Sequence, residues 1–193
     1  MPNQELALQI IKDKDRNAVK ELVEYLSHNS KAIRHDSIKV LYEVAAGDPE
    51  LIAPYAAAFI ELLDHKDNRM QWGAMTALSA ITKESSKAVY EAIDTIITVA
   101  DKGSVITNDH CVRILAQLCR DKKYATNTLP LLLERLKKSP GNQLPMYAEM
   151  SCPVVPASSA ASFIQLLQAR IRTIEKESKR KRVEKVIRQL QAL

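Results

Sequence analysis

The sequence predicts an all-α protein of one domain, built from repeated helical hairpins. Three observations carry this. Apolar residues recur at helical spacing through most of the chain. The pattern returns at a shift of 37 residues, which marks a repeat architecture. Only four glycines occur in 193 residues, too few for the many tight turns of an all-β fold.

The N-terminal stretch, MPNQELALQIIKDKD, carries charges where a secretory leader needs an unbroken apolar core, so no leader is expected. The longest apolar stretch, 51–60, is too short to span a bilayer and contains Pro54, so no membrane association is expected. From residue 17 the repeat sets in. Leu22, Phe59, Ile96 and Leu133 align, and so do Tyr25, Leu62, Val99 and Leu136. These are the apolar positions of a first helix, A, in each unit. A second helix, B, gives Ile38, Met75 and Val112, then Leu41, Leu78 and Leu115, then Val44, Ile81 and Leu118. Spacings of i, i+3 and i+6 or i+7 place each B set on one helical face. Ser27, Asp64 and Asp101 stand where A ends. Asp48-Pro49 and Ser85-Ser86 stand where one unit passes to the next. Such residues suit helix starts, because a side-chain oxygen caps free N–H groups and proline needs none at the first position.

The stretch LLDHKDNRMQWGAMTALSAI, residues 62–81, resembles the HEAT-repeat pattern. Asp64, Met70, Ala74, Ala77-Leu78 and Ile81 fill its places, with Gln71 where the family usually has Arg. Ile33-Arg34 restores the usual pair one unit earlier, and Thr107-Asn108 departs from it one unit later. The resemblance implies a right-handed α–α superhelix of about five hairpins, regular over about 17–140, with the B helices lining a concave side. Such repeats serve many unrelated binding scaffolds, so the resemblance implies architecture more than function.

The fourth unit breaks the pattern. Its A helix, around 126–138, is regular, but Pro145, Pro153 and Pro156 interrupt its B segment. A short helix is expected between Pro145 and Cys152, with an irregular link after it. This segment reads as a capping irregularity, or as a docking element that includes Met146 and Tyr147. A last helix pair closes the atypical cap, about 141–193. Phe163, Leu167, Ile171 and Ile174 form one apolar stripe, and Val183, Val186, Ile187 and Leu190 the other.

Helical geometry then selects the surface. With 38, 41 and 45 turned inward, positions 35, 36, 39, 42 and 43 of each B helix point away. The candidate partner-binding surface comprises His35, Lys39, Tyr42, Trp72, Thr76, Asp109 and Arg113, centred on the only Trp, with Gly73, Ser79 and Ala80 as small neighbours and Ala116 in the next unit. A packed Trp72, half-buried against a neighbouring helix, is the plainer alternative. A second candidate is the basic C-terminal helix. Residues 175–193 hold seven basic and three acidic residues out of a formal net charge of +5. Lys179, Arg180, Lys181, Arg182 and Lys185 could meet phosphates, although no aromatic is interleaved for base stacking.

No catalytic grouping, metal site or cofactor is expected. His28 and His65 share a repeat position, about 10 Å apart by helix-packing distances, too far to share an ion. His110-Cys111 diverge by about 100° on a helix. Cys111 aligns with Ser37 and Ala74, small inward positions. Cys111, Cys119 and Cys152 read as reduced thiols of a cytoplasmic protein. The expected function is a protein–protein scaffold or adaptor. A nucleic-acid-associated module using the basic helix is the alternative.

Overall fold

The computed structural model describes residues 2–193, and they are helical with no strand among them. The chain divides into two compact units, one ending at Ile114 and the next beginning at Leu115. Helix α9 (Val105–Leu118) runs across that division.

The first unit opens on a helix the repeat did not announce, α1 (Pro2–Asp13), which buries Ala7 and Ile10. Its period is helical, but it lies outside the 37-residue register. Lys14 takes φ 53 to end it, and the Asp15 side chain accepts from the N–H groups of Asn17 and Ala18 to start α2 (Arg16–Glu24). A 3-10 turn, Tyr25–Ser27, leads to α3 (Lys31–Gly47), the first B helix. The next A segment is broken into α4 (Pro49–Ile52), a 3-10 turn Ala53–Tyr55, α5 (Ala56–Glu61) and a 3-10 turn Leu62–Asp64. Helix α6 (Asn68–Ile81) is its B partner. The third A segment is broken again, into α7 (Ser86–Glu91) and α8 (Ile93–Lys102), and α9 comes after it.

The two breaks are one repeat apart. Tyr55 has φ −103 and ψ 17, and Ala92 has φ −93 and ψ 9. Pro54 accompanies the first break, but Glu91 stands at its place in the second, so proline is not what sets it. The aligned B positions Ile38, Met75, Val112, Leu41, Leu78, Leu115, Val44 and Ile81 are all fully buried. In the A helices Phe59 and Ile96 are fully buried, whereas Leu22 is half-buried and Tyr25 is 37% exposed. The first A helix has no earlier repeat to cover that side.

A side chain at one register position reaches back into each of three A-to-B corners. Arg34 donates to the carbonyls of His28 (2.7 Å) and Asn29 (3.1 Å). Gln71 Nε2 donates to Leu63 O at 2.7 Å, and Asn108 Nδ2 to Ala100 O at 2.7 Å. Gln71 and Asn108 thereby satisfy carbonyls at the end of the preceding helical segment, while Arg34, at the same register position, satisfies carbonyls of the corner itself. His28 Nδ1 and His65 Nδ1 each accept the backbone N–H two residues on, both at 2.9 Å.

The second unit contains α10 (Lys122–Lys138), α11 (Leu144–Ser151), a 3-10 turn Cys152–Val154, α12 (Ala157–Arg170), a 3-10 turn Ile171–Thr173 and α13 (Glu177–Gln191). Helix α10 starts earlier than the expected 126, because Asp121 accepts from Lys123 N at 2.9 Å and caps it. Pro130 sits inside this helix. Helix α13 packs against both α11 and α12, burying Val183, Val186, Ile187 and Leu190. Phe163, Leu167 and Ile174 are buried as expected, while Ile171 is half-buried. Tyr147 is only 2% exposed, so it is a core residue and not part of a docking element, and Met146 is half-buried.

Candidate binding surface

The candidate face lies in the first unit, on α3, α6 and the start of α9. Helix α3 packs between α1 and α6. Contacts at one register position make these seams. Asn3 Nδ2 of α1 donates to Asp36 Oδ1 at 2.9 Å. A Cβ on Gly73 would come within 2.6 Å of Ile38 Cγ1, so glycine is what lets α6 approach α3 this closely. One repeat on, His110 Nε2 lies 3.0 Å from Thr76 Oγ1.

Positions 73 and 110 therefore pack against the preceding helix, which corrects the expectation that they point to solvent, whereas Asp36 is exposed as expected. Gly73 is buried, and Ala116 is 7% exposed. The cause is geometric. A helix with neighbours on both flanks buries a wider arc than the single stripe used to select outward positions.

The expected surface residues divide accordingly. Trp72 is half-buried and leans on Tyr42, ring centroids 5.8 Å apart and planes tilted by 47°. Burial and the Glu43 carboxylate raise the Tyr42 hydroxyl pKa, with Arg69 opposing, so Arg69 belongs to the same cluster. Arg113 is exposed and Lys39 half-buried.

His35 and Thr76 are half-buried, and their side chains are hydrogen-bonded within the unit. His35 Nε2 bonds Asp67 Oδ2 at 2.8 Å, and its side chain is 16% exposed. Asp67 also caps α6 through Arg69 N at 2.9 Å and pairs with Lys31 at 3.2 Å. Burial pushes the Asp67 carboxyl up, but the hydrogen bonds from His35, Arg69 N and Lys31 outweigh it and hold it well below the usual range. The Thr76 hydroxyl donates to Trp72 O at 2.8 Å. With that proton committed, His110 Nε2–H donates to Thr76 Oγ1, and Nδ1 is left buried without a partner. Burial, helped by Arg113 and opposed by Asp109, pushes the His110 pKa down to about 4. Asp109 is half-buried and has a partner of its own.

A cleft of about 150 Å³ opens beside Trp72. Asn68, Gln71 and Trp72 line it from α6, and Lys102, Ser104 and Thr107 from the α8–α9 corner. Val105 (52%) and Ile106 (43%) are exposed apolar side chains in the same corner. The outward positions of the B helices did not reveal this cleft, because half of its wall belongs to a corner and not to a B helix. The register places Lys102, Ser104 and Thr107 level with His65, Asp67 and Met70, and that was the available signal.

The basic helix is differently disposed. Arg182 forms a bidentate pair with Glu149, its Nε 2.7 Å from Oε1, and holds the Glu149 carboxyl below its usual range. Lys179 donates to Asn142 O at 2.9 Å and Arg180 to Ile174 O at 3.0 Å. Lys181 pairs with Glu177 at 2.7 Å. Lys185 lines a cleft of about 420 Å³ with Glu149, Cys152 and Gln189. Four of the five basic candidates thus have intramolecular partners.

Cys111, Cys119 and Cys152 form no disulfide, and Cys111 is buried like Ser37 and Ala74, with which it aligns. No helix among the described residues is long and apolar enough to cross a membrane.

Among the solved structures that share the fold are two engineered proteins. One is the crystal structure of an engineered protein, matched with a TM-score of 0.66 at 17% identity over 98% of this chain and 90% of that one. The other, also an engineered protein, matches with a TM-score of 0.67 at 17% identity over 90% of this chain and 47% of that one. Likeness at this identity bears on the fold alone. No family model and no curated protein matches the chain.

Proposed function

We propose that the chain is a HEAT-like α-solenoid, a right-handed helical stack that works as a cytoplasmic protein-binding scaffold and not as an enzyme. The partner is held on the face of α3, α6 and α9 around Trp72. The observation that carries this reading is the Tyr42–Trp72 pair, a large aromatic cluster left half-exposed beside a cleft on a face of rigid helices. Trp, Tyr and Arg are the residue types that dominate binding hot spots, and here Arg69 completes the set.

The repeat architecture is supported by features beyond apolar periodicity. The paired breaks at Tyr55 and Ala92 and the corner bonds of Arg34, Gln71 and Asn108 recur in register. A stack of near-identical hairpins offers a preorganised surface, which lowers the ordering cost of binding. Three cysteines outside any disulfide fit a reducing compartment.

The nucleic-acid reading of the C-terminal helix draws less support, because its cations hold Glu149, Glu177 and backbone carbonyls of their own unit. Affinity capture from the source cell tests the two readings together. The scaffold reading predicts a protein retained by the wild type, lost with Trp72→Ala and kept when Lys181 and Lys185 are reversed to Glu. The opposite pattern, with salt-sensitive retention of duplex DNA or RNA, would replace it.

A further inference from the structure

We propose that the second unit carries a surface for the phosphate backbone of a double-stranded nucleic acid, where its α10–α11 and α12–α13 corners meet. This surface is separate from Trp72 and does not rest on the scaffold reading. Charge divides unequally between the units. Residues 115–193 hold fifteen basic and six acidic residues, against thirteen and seventeen in residues 1–114. Much of the excess gathers at one place. Arg170 donates to Leu136 O at 3.1 Å and to Ser139 O at 2.5 Å, and Lys179 donates to Asn142 O at 2.9 Å. A Cβ on Gly141 would lie 2.5 Å from Thr173 O. These contacts hold the two corners side by side. The stretches that make them, 134–142 and 170–181, contain nine basic and three acidic residues.

The acidic residues do not cancel this excess. Glu134 pairs with Lys137 at 3.4 Å and Glu177 with Lys181 at 2.7 Å. Glu175, exposed between Arg172 and Lys176, is the third. Arg135 is buried, and Arg170 and Arg180 donate to carbonyls. Lys138, Arg172 and Lys176 are left exposed, none of them paired with a carboxylate among the described residues. Lys179 gives one of its three donors to Asn142 and keeps two. What the surface lacks then selects the anion. The aromatic residues of the unit, Tyr124, Tyr147 and Phe163, are all buried, so none is displayed for the bases of a single strand to stack on. Among the described residues of the unit, the only exposed large apolar side chain is Leu193, beyond the far end of α13. The corner therefore offers no apolar anchor to a protein hot spot or to a lipid interface. Exposed cations without apolar or aromatic neighbours suit a ligand held by its charge alone, and the regular phosphates of a duplex are such a ligand.

Fluorescence anisotropy of a labelled DNA duplex of mixed sequence, titrated with the full chain, tests this. One phosphate for each of Lys138, Arg172, Lys176 and Lys179 predicts an affinity that falls on the order of a hundredfold between about 50 and about 200 mM salt. The triple variant Lys138→Gln, Arg172→Gln, Lys176→Gln should bind at least about tenfold more weakly at the lower salt, with the salt slope reduced by about three. Arg120→Gln, Lys122→Gln, Lys123→Gln removes the same charge from exposed side chains at the other end of α10, and should keep most of the affinity and the slope. Circular dichroism confirms that both variants are folded. No binding at the lower salt would overturn the proposal. Equal losses from the two variants would overturn it too, by making the attraction a diffuse property of the unit. Tighter binding of a single strand of the same length would overturn the duplex. Displacement of the duplex by poly-glutamate, or retention on phosphatidylserine vesicles with no duplex binding, would replace it with an acidic protein or a lipid surface. Reversal of Lys181 and Lys185 probes the helix face and not this corner, and capture through Trp72 is read separately, so the readings fail separately.

Discussion

The two units of this molecule solve the same problem, closing the ends of short helices, by different means. In the first, closure is local and periodic: Arg34, Gln71 and Asn108 each reach back to carbonyls five to eight residues away. In the second, it is long-range and unique. Arg170 on α12 donates to Ser139 O and Leu136 O, 31 and 34 residues away, and also to Lys137 O. Where a repeat persists, each corner depends on its own side chain. Where prolines interrupt it, one guanidinium serves the end of α10 alone. The units should therefore fail differently.

The largest expected effect is at Arg170. Arg170→Ala strips donors from several carbonyls at once, and urea unfolding should show a loss of about 3 kcal/mol. A loss no greater than that of a single repeat corner would erase the distinction. Gly73→Val comes next, at about 2 kcal/mol, because its branched side chain would press on Ile38 inside the α3–α6 seam.

Acid should reach the first unit through His110. Its folded pKa lies near 4, below the ordinary value of 6.5, so between those values the unfolded chain binds the extra proton. Stability is fully present above about pH 6.5 and falls by about 2 to 3 kcal/mol as the pH drops toward 4. His110→Gln should flatten that window. Asp67, whose carboxyl is depressed, contributes stability above the ordinary carboxylate range and loses it only at lower pH, so the two groups separate in an acid titration. The smallest effect is at a corner: Gln71→Ala should cost about 1 kcal/mol, as one net hydrogen bond does.

Legibility in the sequence divides along the same line. The 37-residue register locates the core of α3, α6 and α9, because periodicity encodes which face is buried. It does not encode how wide that face is. Spacing alone turns Gly73 and His110 toward solvent, yet adjoining helices cover them. Helix α1 escapes the register because it stands before the first full repeat. The roles of Arg170 and Arg182 depend on contacts more than 30 residues apart, which no local pattern carries. Trp72 stands out in the sequence as the only Trp, and its packing on Tyr42 leaves it partly packed and partly displayed. The cleft beside it is not legible, because it forms where a corner of one repeat meets the helix of another.

Trp72→Ala bears most directly on the proposed binding face. The measurement is affinity for one identified partner, taken beside the unfolding free energy of the same variant. A hot spot at this ring predicts a loss of affinity of at least about a hundredfold with stability reduced by only ~1 kcal/mol, since hot spots concentrate binding energy and the ring is only half-buried. Affinity unchanged in a folded variant, or a stability loss of ~4 kcal/mol like that of a core aromatic, would contradict it.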